Sequence, residues 1–151
     1  MKIRKARKED ARKWVNLTNN TLEKVNTDYS KKQIKVLKKK NTLEFTLDKI
    51  KNANAFCLID NGKIIGTIGL NKNRIGGLYL KHSYIKKGLG KKLLVFVENY
   101  ARKKGIKKVK LNSTKYAYPF YLNQGYKLIK KGRWMVDGTS FTTYDMEKKL
   151  R

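Results

Sequence analysis

Apolar and polar positions repeat with a helical period in five stretches of this 151-residue chain. Between residues 9 and 24, Ala11, Trp14, Val15, Thr18 and Leu22 recur at the spacing of an amphipathic helix. The remaining predicted helices are 30–39, with Ser30 as a candidate cap, a short segment opened by Thr42, 88–104, and 116–123.

The predicted helix 88–104 has an apolar stripe that should face the core. The residues of this stripe are Leu93, Leu94, Val97, Tyr100 and Ala101. Two charged residues of the same helix, Glu98 and Arg102, are four positions apart, and this spacing predicts an ion pair on the helix surface.

Shorter segments rich in β-branched and aromatic residues predict seven strands, at 2–6, 55–59, 63–70, 75–81, 107–113, 126–136 and 139–149. The dipeptides Asn61-Gly62 and Asp137-Gly138 predict tight hairpin turns. The order is strand, helices, three strands, helix, strand, helix, two strands. This order predicts an α/β (α+β) fold in which a mixed, mostly antiparallel sheet of about seven strands is flanked by helices. The length predicts one domain, residues 1–151.

The charge of the chain is extreme, with 38 Lys and Arg against 11 Asp and Glu, a formal net charge of +27. Such a surface attracts polyanions, and weak, non-specific nucleic-acid binding is expected if the surface is used. A merely solvated lysine coat is the other interpretation. No apolar run approaches the roughly 18 residues of a membrane span, and the basic N-terminus has no apolar segment after it. We therefore expect a cytoplasmic protein without membrane attachment.

Cys57 and His82 are the only residues of their types. A single cysteine forms no internal disulfide, and the two residues cannot supply a cysteine- or histidine-rich metal site, so no metal is expected. Cys57 lies in the apolar run 55–59, which favours a buried, unreactive thiol.

A strand ending at Lys81 leads into a turn rich in lysine and glycine, and the turn leads into the helix 88–104. Gly88 and Gly90 let the backbone approach a ligand closely, while the start of the helix offers free N–H groups. Nearby lysines add positive charge, so the segment has the properties of a pyrophosphate site. An ordinary strand-to-helix turn is the alternative. The segment matches neither the three-glycine dinucleotide pattern nor the P-loop.

The hexapeptide Ile85-Lys86-Lys87-Gly88-Leu89-Gly90 resembles the coenzyme A signature of the GNAT superfamily of N-acetyltransferases, Gln/Arg-x-x-Gly-x-Gly/Ala after a strand. Ile85 departs from the usual Gln or Arg. Residues 112–126 resemble the block of that family in which a fifth strand, a short helix and a Gly-aromatic pair follow one another. Tyr116 stands where the family often has Asn, whereas the pair Phe120-Tyr121 is intact.

The resemblance implies an acetyl-CoA-dependent N-acetyltransferase whose sheet splays apart between its fourth and fifth strands to admit the thioester. It implies transfer to a primary amine, at a protein N-terminus or on a small molecule, by direct attack. Tyr121 would protonate the leaving thiolate, and the backbone N–H of Leu80 would polarise the carbonyl group. The implied cofactor-binding residues are Leu78, Leu80, Ile85, Lys86, Lys87, Gly88, Leu89, Gly90, Lys91, Tyr116 and Tyr121.

The residue that would accept the proton of the amine stays open, because strands 75–81 and 107–113 contain no Asp or Glu. Glu23, Asp28, Glu44 and Asp145 are the remaining candidates, and a water chain or a partly neutral amine would remove the need for one. Two non-catalytic alternatives also stay open. They are a nucleic-acid-binding module and a family member that only binds coenzyme A. The sequence leaves both a monomer and a homodimer open.

Overall fold

A computed structural model describes residues 1–25 and 28–151. In these residues seven strands form one sheet in the order β1-β2-β3-β4-β5-β7-β6. Only β4 and β5 are parallel; the other neighbouring strands are antiparallel. The strands are β1 (Lys2–Lys5), β2 (Asn54–Asp60), β3 (Lys63–Asn71), β4 (Arg74–Leu80), β5 (Lys108–Ser113), β6 (Lys127–Val136) and β7 (Thr139–Lys149).

Five α-helices flank the sheet in the described ranges: α1 (Ala11–Lys24), α2 (Lys31–Lys40), α3 (Leu43–Asn52), α4 (Leu89–Lys103) and α5 (Tyr118–Asn123). Ser30 caps α2 by accepting a hydrogen bond from the N–H of Gln33. Thr42 caps α3 in the same way through the N–H of Phe45. Both predicted helix starts are thus confirmed, and none of the described helices is long and apolar enough to cross a bilayer.

The two faces of the sheet carry separate parts of the core. Alternate residues of β2 point to opposite faces: Phe56 and Leu58 join the cluster that contains the apolar stripe of α4. Cys57 packs instead with Trp14 of α1 on the other face. The predicted burial of the Cys57 thiol is confirmed, and this burial raises the pKa of the thiol to about 12, which disfavours the reactive thiolate.

The predicted ion pair between Glu98 and Arg102 is wrong. Glu98 lies on the buried side of α4 with 3% of its surface exposed. Its carboxylate accepts a hydrogen bond from the Tyr126 hydroxyl at 2.7 Å and is paired with the Lys148 ammonium at 3.1 Å. The Arg102 guanidinium donates to the side chain of Asn99 instead. A buried carboxylate requires partners from the elements packed on it, and helix spacing does not contain that information.

The predicted splay between the fourth and fifth strands is confirmed. The parallel pairing of β4 with β5 covers only two register pairs, Arg74 with Lys110 and Ile75 with Leu111. On its other edge, β4 contains a bulge against β3. Gly76 pairs with Gly69 and Tyr79 pairs with Thr67, so β4 advances three residues where β3 advances two. Gly77, inside this bulge, has φ +64°. The strands therefore separate at the point where β4 bends.

Candidate active site

A cleft of about 740 Å³ occupies the gap between β4 and β5. This volume is in the range of small-molecule binding sites. Its walls come from four parts of the fold: β4 (residues 75–80), the turn before α4, the chain from the end of β5 through α5, and the C-terminal end of α1. Because these parts are far apart in sequence, only the folded chain forms the cleft.

One end of the cleft is the start of α4. Gly88 occupies the N-cap position with φ +77°, no side chain caps the helix, and its first turn has no acidic residue. A Cβ atom at Gly88 would have no atom within 4 Å, so the space beside it is open. Lys86 and Lys91 also line this end. Free N–H groups, the positive end of the helix dipole and two ammonium groups fit a pyrophosphate.

Position 90 of α4 faces the short helix α5. A Cβ atom there would lie 3.4 Å from the ring of Phe120 in α5, and 3.8 Å from the side chain of Leu80. These are ordinary contact distances, so alanine would fit at this position and only a larger side chain would press on Phe120. The wall that contains α5 therefore lies close to the phosphate end of the cleft.

Most of the eleven predicted cofactor-binding residues line the cleft, but Lys87 and Leu89 do not. The ammonium of Lys87 lies 5.5 Å from the ring centroid of Tyr84, and Leu89 packs against the core. The Tyr84 hydroxyl donates to the carboxylate of Asp60 at 2.8 Å, which ties the turn to the β2–β3 hairpin. Lys87 thus reinforces the outer side of the turn, and the backbone of Leu89 remains at the start of the helix.

Tyr121 lies in α5 with 8% of its surface exposed, and its side chain lines the cleft. Its ring packs edge-on against the rings of Phe120 and Tyr126. Among the described residues its hydroxyl has no hydrogen-bond partner. Burial, with a smaller contribution from Tyr79, raises the pKa of the Tyr121 hydroxyl. The phenol is therefore protonated at neutral pH, and no described residue accepts its proton.

The backbone of Leu80 faces the gap. The N–H of the next residue, Lys81, donates to the carbonyl of Ile65 on the β3 side at 2.8 Å. Because successive residues of a strand direct their backbone groups to opposite edges, the N–H and C=O of Leu80 point away from β3. The C=O accepts a hydrogen bond from the Thr21 hydroxyl at 2.7 Å, which fixes the end of β4 against α1.

Several cleft residues were not predicted. Tyr79 lines the cleft, and burial raises the pKa of its hydroxyl. Strand alternation places its side chain on the opposite face from Leu78 and Leu80, so the sequence contained a signal for it. Thr21 and Gly77 also line the cleft. Their positions depend on the packing of α1 and on the bulge, for which the sequence pattern contains no signal. Tyr116, which was predicted, lines the cleft with 43% of its surface exposed.

Three of the four candidate bases lie on the protein surface. Glu23 forms an exposed ion pair with Lys38, and Asp28 and Glu44 are also exposed. None of the three lines the cleft.

The fourth candidate, Asp145, lies on β7 beside the cleft wall. Its carboxylate accepts a hydrogen bond at 2.9 Å from the side chain of Asn112, and Asn112 does line the cleft. Within residues 1–25 and 28–151 no carboxylate lines the cleft itself, and no group of three potential metal ligands is found.

The cleft and the open helix start beside it suit a ligand that carries a pyrophosphate. The acetyltransferase (GNAT) domain family matches residues 25–149, and the chain belongs to this family. The chain matches no curated protein sequence.

Solved structures with the same fold include a GCN5-related N-acetyltransferase from Rhodopseudomonas palustris. Its TM-score is 0.94 at 19% identity, over 99% of this chain and 95% of that one. The PaiA N-acetyltransferase from Thermoplasma acidophilum, solved in complex with coenzyme A, has a TM-score of 0.81 at 26% identity, over 98% of both chains. A GNAT-family acetyltransferase from Staphylococcus aureus Mu50 has a TM-score of 0.75 at 19% identity, over 99% of both chains.

Proposed function

We propose that the chain, as a single domain of residues 1–151, transfers an acetyl group from acetyl-CoA to a primary amine. One observation carries the proposal: the same cleft has an uncapped helix start at Gly88 and an unpartnered, buried Tyr121 hydroxyl. The first feature suits binding of a pyrophosphate, and the second suits protonation of a leaving thiolate. Membership of the GNAT family supports the combination.

The fit of acetyl-CoA to the cleft rests on residues at two places. The N–H groups at the start of α4, together with Lys86 and Lys91, would hold the pyrophosphate. The edge of β4 at Leu78 and Leu80 would hold the pantetheine arm through backbone hydrogen bonds. The thioester supplies an activated acetyl group. Coenzyme A bound to the PaiA N-acetyltransferase, at 26% identity, supports this choice of donor.

The residues of the chain then have separate roles. The N–H of Leu80, directed into the gap, would polarise the carbonyl oxygen of the acetyl group. Tyr121, which holds a proton at neutral pH, would donate it to the departing sulfur, whose conjugate thiol has a pKa of about 8.5 or above.

The lack of a carboxylate in the cleft lining supports one kind of acceptor. Because no described carboxylate lines the cleft, an amine that arrives already neutral would need no base from the chain. An α-amine has a pKa near 8, whereas a lysine amine has one of about 10.4. At neutral pH the α-amine is therefore neutral in a far larger fraction of molecules. We favour an α-amine, at a protein N-terminus or on a small molecule, as the acceptor.

The test is release of free thiol from acetyl-CoA in the presence of peptides with free N-termini, polyamines and small amines. We expect thiol release that depends on the amine, together with an acetylated product by mass spectrometry. Binding of acetyl-CoA without transfer to any of these acceptors would favour the non-catalytic coenzyme A-binding alternative. Absence of binding would place the function elsewhere.

A further inference from the structure

The side chain of Tyr79 lies on the face of the sheet that α1 covers. In the register of the sheet Tyr79 pairs with Thr67, which in turn pairs with Cys57. Cys57 packs against Trp14 of α1. Paired residues of neighbouring strands have their side chains on the same face, and the next residue, Leu80, packs on the other face beneath α4. Tyr79 therefore reaches the cleft from the side opposite to α4.

Five lining residues form this α1 side of the cleft: Thr21, Leu22, Val25, Gly77 and Tyr79. Gly77 faces the same way, since a Cβ atom there would lie 3.3 Å from Lys49 Nζ of α3 and 3.6 Å from the Trp14 ring. The charged residues of the described lining, Lys86 and Lys91, are both at the phosphate end. In a chain of net charge +27 the α1 side is thus uncharged, which suits a neutral acceptor.

Tyr79 lies close to both groups of the proposed chemistry. A peptide bond joins it to Leu80, whose N–H points into the gap between β4 and β5. On the other wall, a negative charge on Tyr79 would raise the pKa of the Tyr121 hydroxyl, so the two phenols are near enough to interact. Both tyrosines line the cleft. An amine in contact with Tyr79 is therefore also near the groups that would act on the thioester.

The Tyr79 hydroxyl is available for a ligand, unlike most polar side chains of the lining. Four of these side chains already take part in hydrogen bonds within the protein: Thr21, Asn112, Ser113 and Thr114. In the ranges that the structure describes, the Tyr79 hydroxyl takes part in none. Burial raises its pKa, so at neutral pH it is an uncharged phenol whose oxygen can accept an N–H.

We propose that the Tyr79 hydroxyl binds the acceptor: its oxygen accepts a hydrogen bond from an N–H of a neutral primary amine that carries no second positive charge. This inference rests on the proposed transferase activity. The nitrogen lone pair forms the bond to the acetyl carbon, and the bond from that carbon to sulfur breaks. Tyr121 gives its proton to the sulfur, and the proton that the nitrogen loses passes through water and restores Tyr121. The N–H becomes a stronger donor as positive charge develops on nitrogen, so the hydrogen bond to Tyr79 strengthens during the attack.

The first experiment measures binding without transfer. The full chain is saturated with coenzyme A, which carries no acetyl group, and titrated by calorimetry at pH 9 with trialanine amide, an uncharged peptide when its N-terminus is neutral. Tyr79→Phe should weaken binding of this peptide about tenfold and leave binding of coenzyme A unchanged. The control is Tyr100→Phe, because the Tyr100 hydroxyl donates to Asn54 outside the cleft lining. The control should change neither affinity.

The second experiment follows thiol release from acetyl-CoA with the same peptide. Tyr79→Phe should raise the KM for the peptide about tenfold, whereas Tyr121→Phe should lower kcat and leave peptide binding to the coenzyme A-loaded chain unchanged. Parental peptide affinity in Tyr79→Phe would overturn the inference, as would an equal loss of coenzyme A affinity, which would show a structural effect. Thiol release with parental peptide affinity in Tyr79→Phe would refute this inference alone. Peptide binding that depends on Tyr79, without thiol release, would refute the proposed function and retain the binding site.

Discussion

Replacing Tyr121 by phenylalanine removes one hydroxyl group and keeps the ring. The ring contacts with Phe120 and Tyr126 do not involve the hydroxyl, and among the described residues no hydrogen bond is lost. The free energy of unfolding should therefore change by less than about 1 kcal/mol, because no buried partner is left unsatisfied.

The catalytic effect of the same change should be large. If the Tyr121 hydroxyl protonates the leaving thiolate, its loss should lower kcat by about 10²- to 10⁴-fold, the usual contribution of a general acid. Binding of acetyl-CoA should hardly change, because the N–H groups and lysines that would hold the pyrophosphate belong to the turn before α4 and the first turn of that helix, and the variant leaves them intact. Since burial raises the pKa of the hydroxyl above its usual value near 10, the parent should also show no loss of this proton at neutral pH.

Tyr126→Phe is the matched control. It removes a hydroxyl that donates to buried Glu98 at 2.7 Å, outside the cleft lining. This variant should lose about 1.5–3 kcal/mol of stability, because the Glu98 carboxylate loses a charged hydrogen bond. At temperatures below the lowered melting temperature of the variant, kcat should change little. Burial and the Glu98 hydrogen bond raise the pKa of Tyr126, so this stabilisation is complete below about pH 10 and is lost as the pH rises further.

The assay pairs thiol release under saturating acetyl-CoA with thermal unfolding and calorimetric binding of acetyl-CoA, for the parent and both variants. The expected pattern is opposite in the two variants: one loses rate and keeps stability, and the other loses stability and keeps rate. A parental rate in Tyr121→Phe would mean that the hydroxyl only packs, and a rate loss matched by unfolding would mean that the effect is structural.

Three further outcomes are expected. Gly88→Glu should weaken acetyl-CoA binding by at least about tenfold in calorimetry, because it places a negative charge at the open helix start. The control is Gly62→Glu, because Gly62 is a turn glycine with equally open space and a positive φ. This control should leave acetyl-CoA binding unchanged, and equal weakening by both variants would argue against this pyrophosphate site. Asp10→Asn should lower the free energy of unfolding by about 1.5–3 kcal/mol in denaturant titrations, because the Asp10 carboxylate loses its charged hydrogen bonds with Arg4. These hydrogen bonds lower the pKa of Asp10. Their stabilisation is therefore complete above the usual aspartate pKa near 4 and is lost as the pH falls through the lowered pKa of the folded state. Duplex DNA should bind weakly through about four phosphates and lose about 10²-fold in affinity between about 50 and 200 mM salt, and absence of binding at low salt would refute a polyanion-binding surface.

Local signals in the sequence were sufficient for much of the fold. The hairpin turns at residues 61–62 and 137–138 adopt the positive φ angles that Asn-Gly and Asp-Gly favour, and Ser30 and Thr42 begin their helices as capping residues do. Each of these features depends on neighbours within a few residues. For the same reason the glycines of the turn before α4 were recognisable as a candidate phosphate site.

The features that the sequence did not indicate depend on contacts between distant elements. Glu98 takes its partners from β7 and from the residue before β6, and Lys49 reaches Gly77 only because α3 and α1 pack on the same face. A periodic pattern tells which side of a helix is buried, but it does not tell which residue lies opposite. The cleft residue Thr21 belongs to the same group, since its hydrogen bond to Leu80 joins residues 59 positions apart.

The short parallel seam between β4 and β5 has a consequence for how the chain unfolds. Two register pairs join a half of four strands, β1 to β4, to a half of three strands, β5 to β7. The buried cluster beneath α4 packs against both halves, so the weak point is the gap and not the core. Beyond the seam the backbone amides of β4 and β5 that face the gap have no strand partner, and they should exchange with solvent faster than amides inside either half. A molecule bound along both edges of the gap would act as an added strand between them. Ligand binding should then protect these amides, and their exchange rate becomes a measure of occupancy of the cleft.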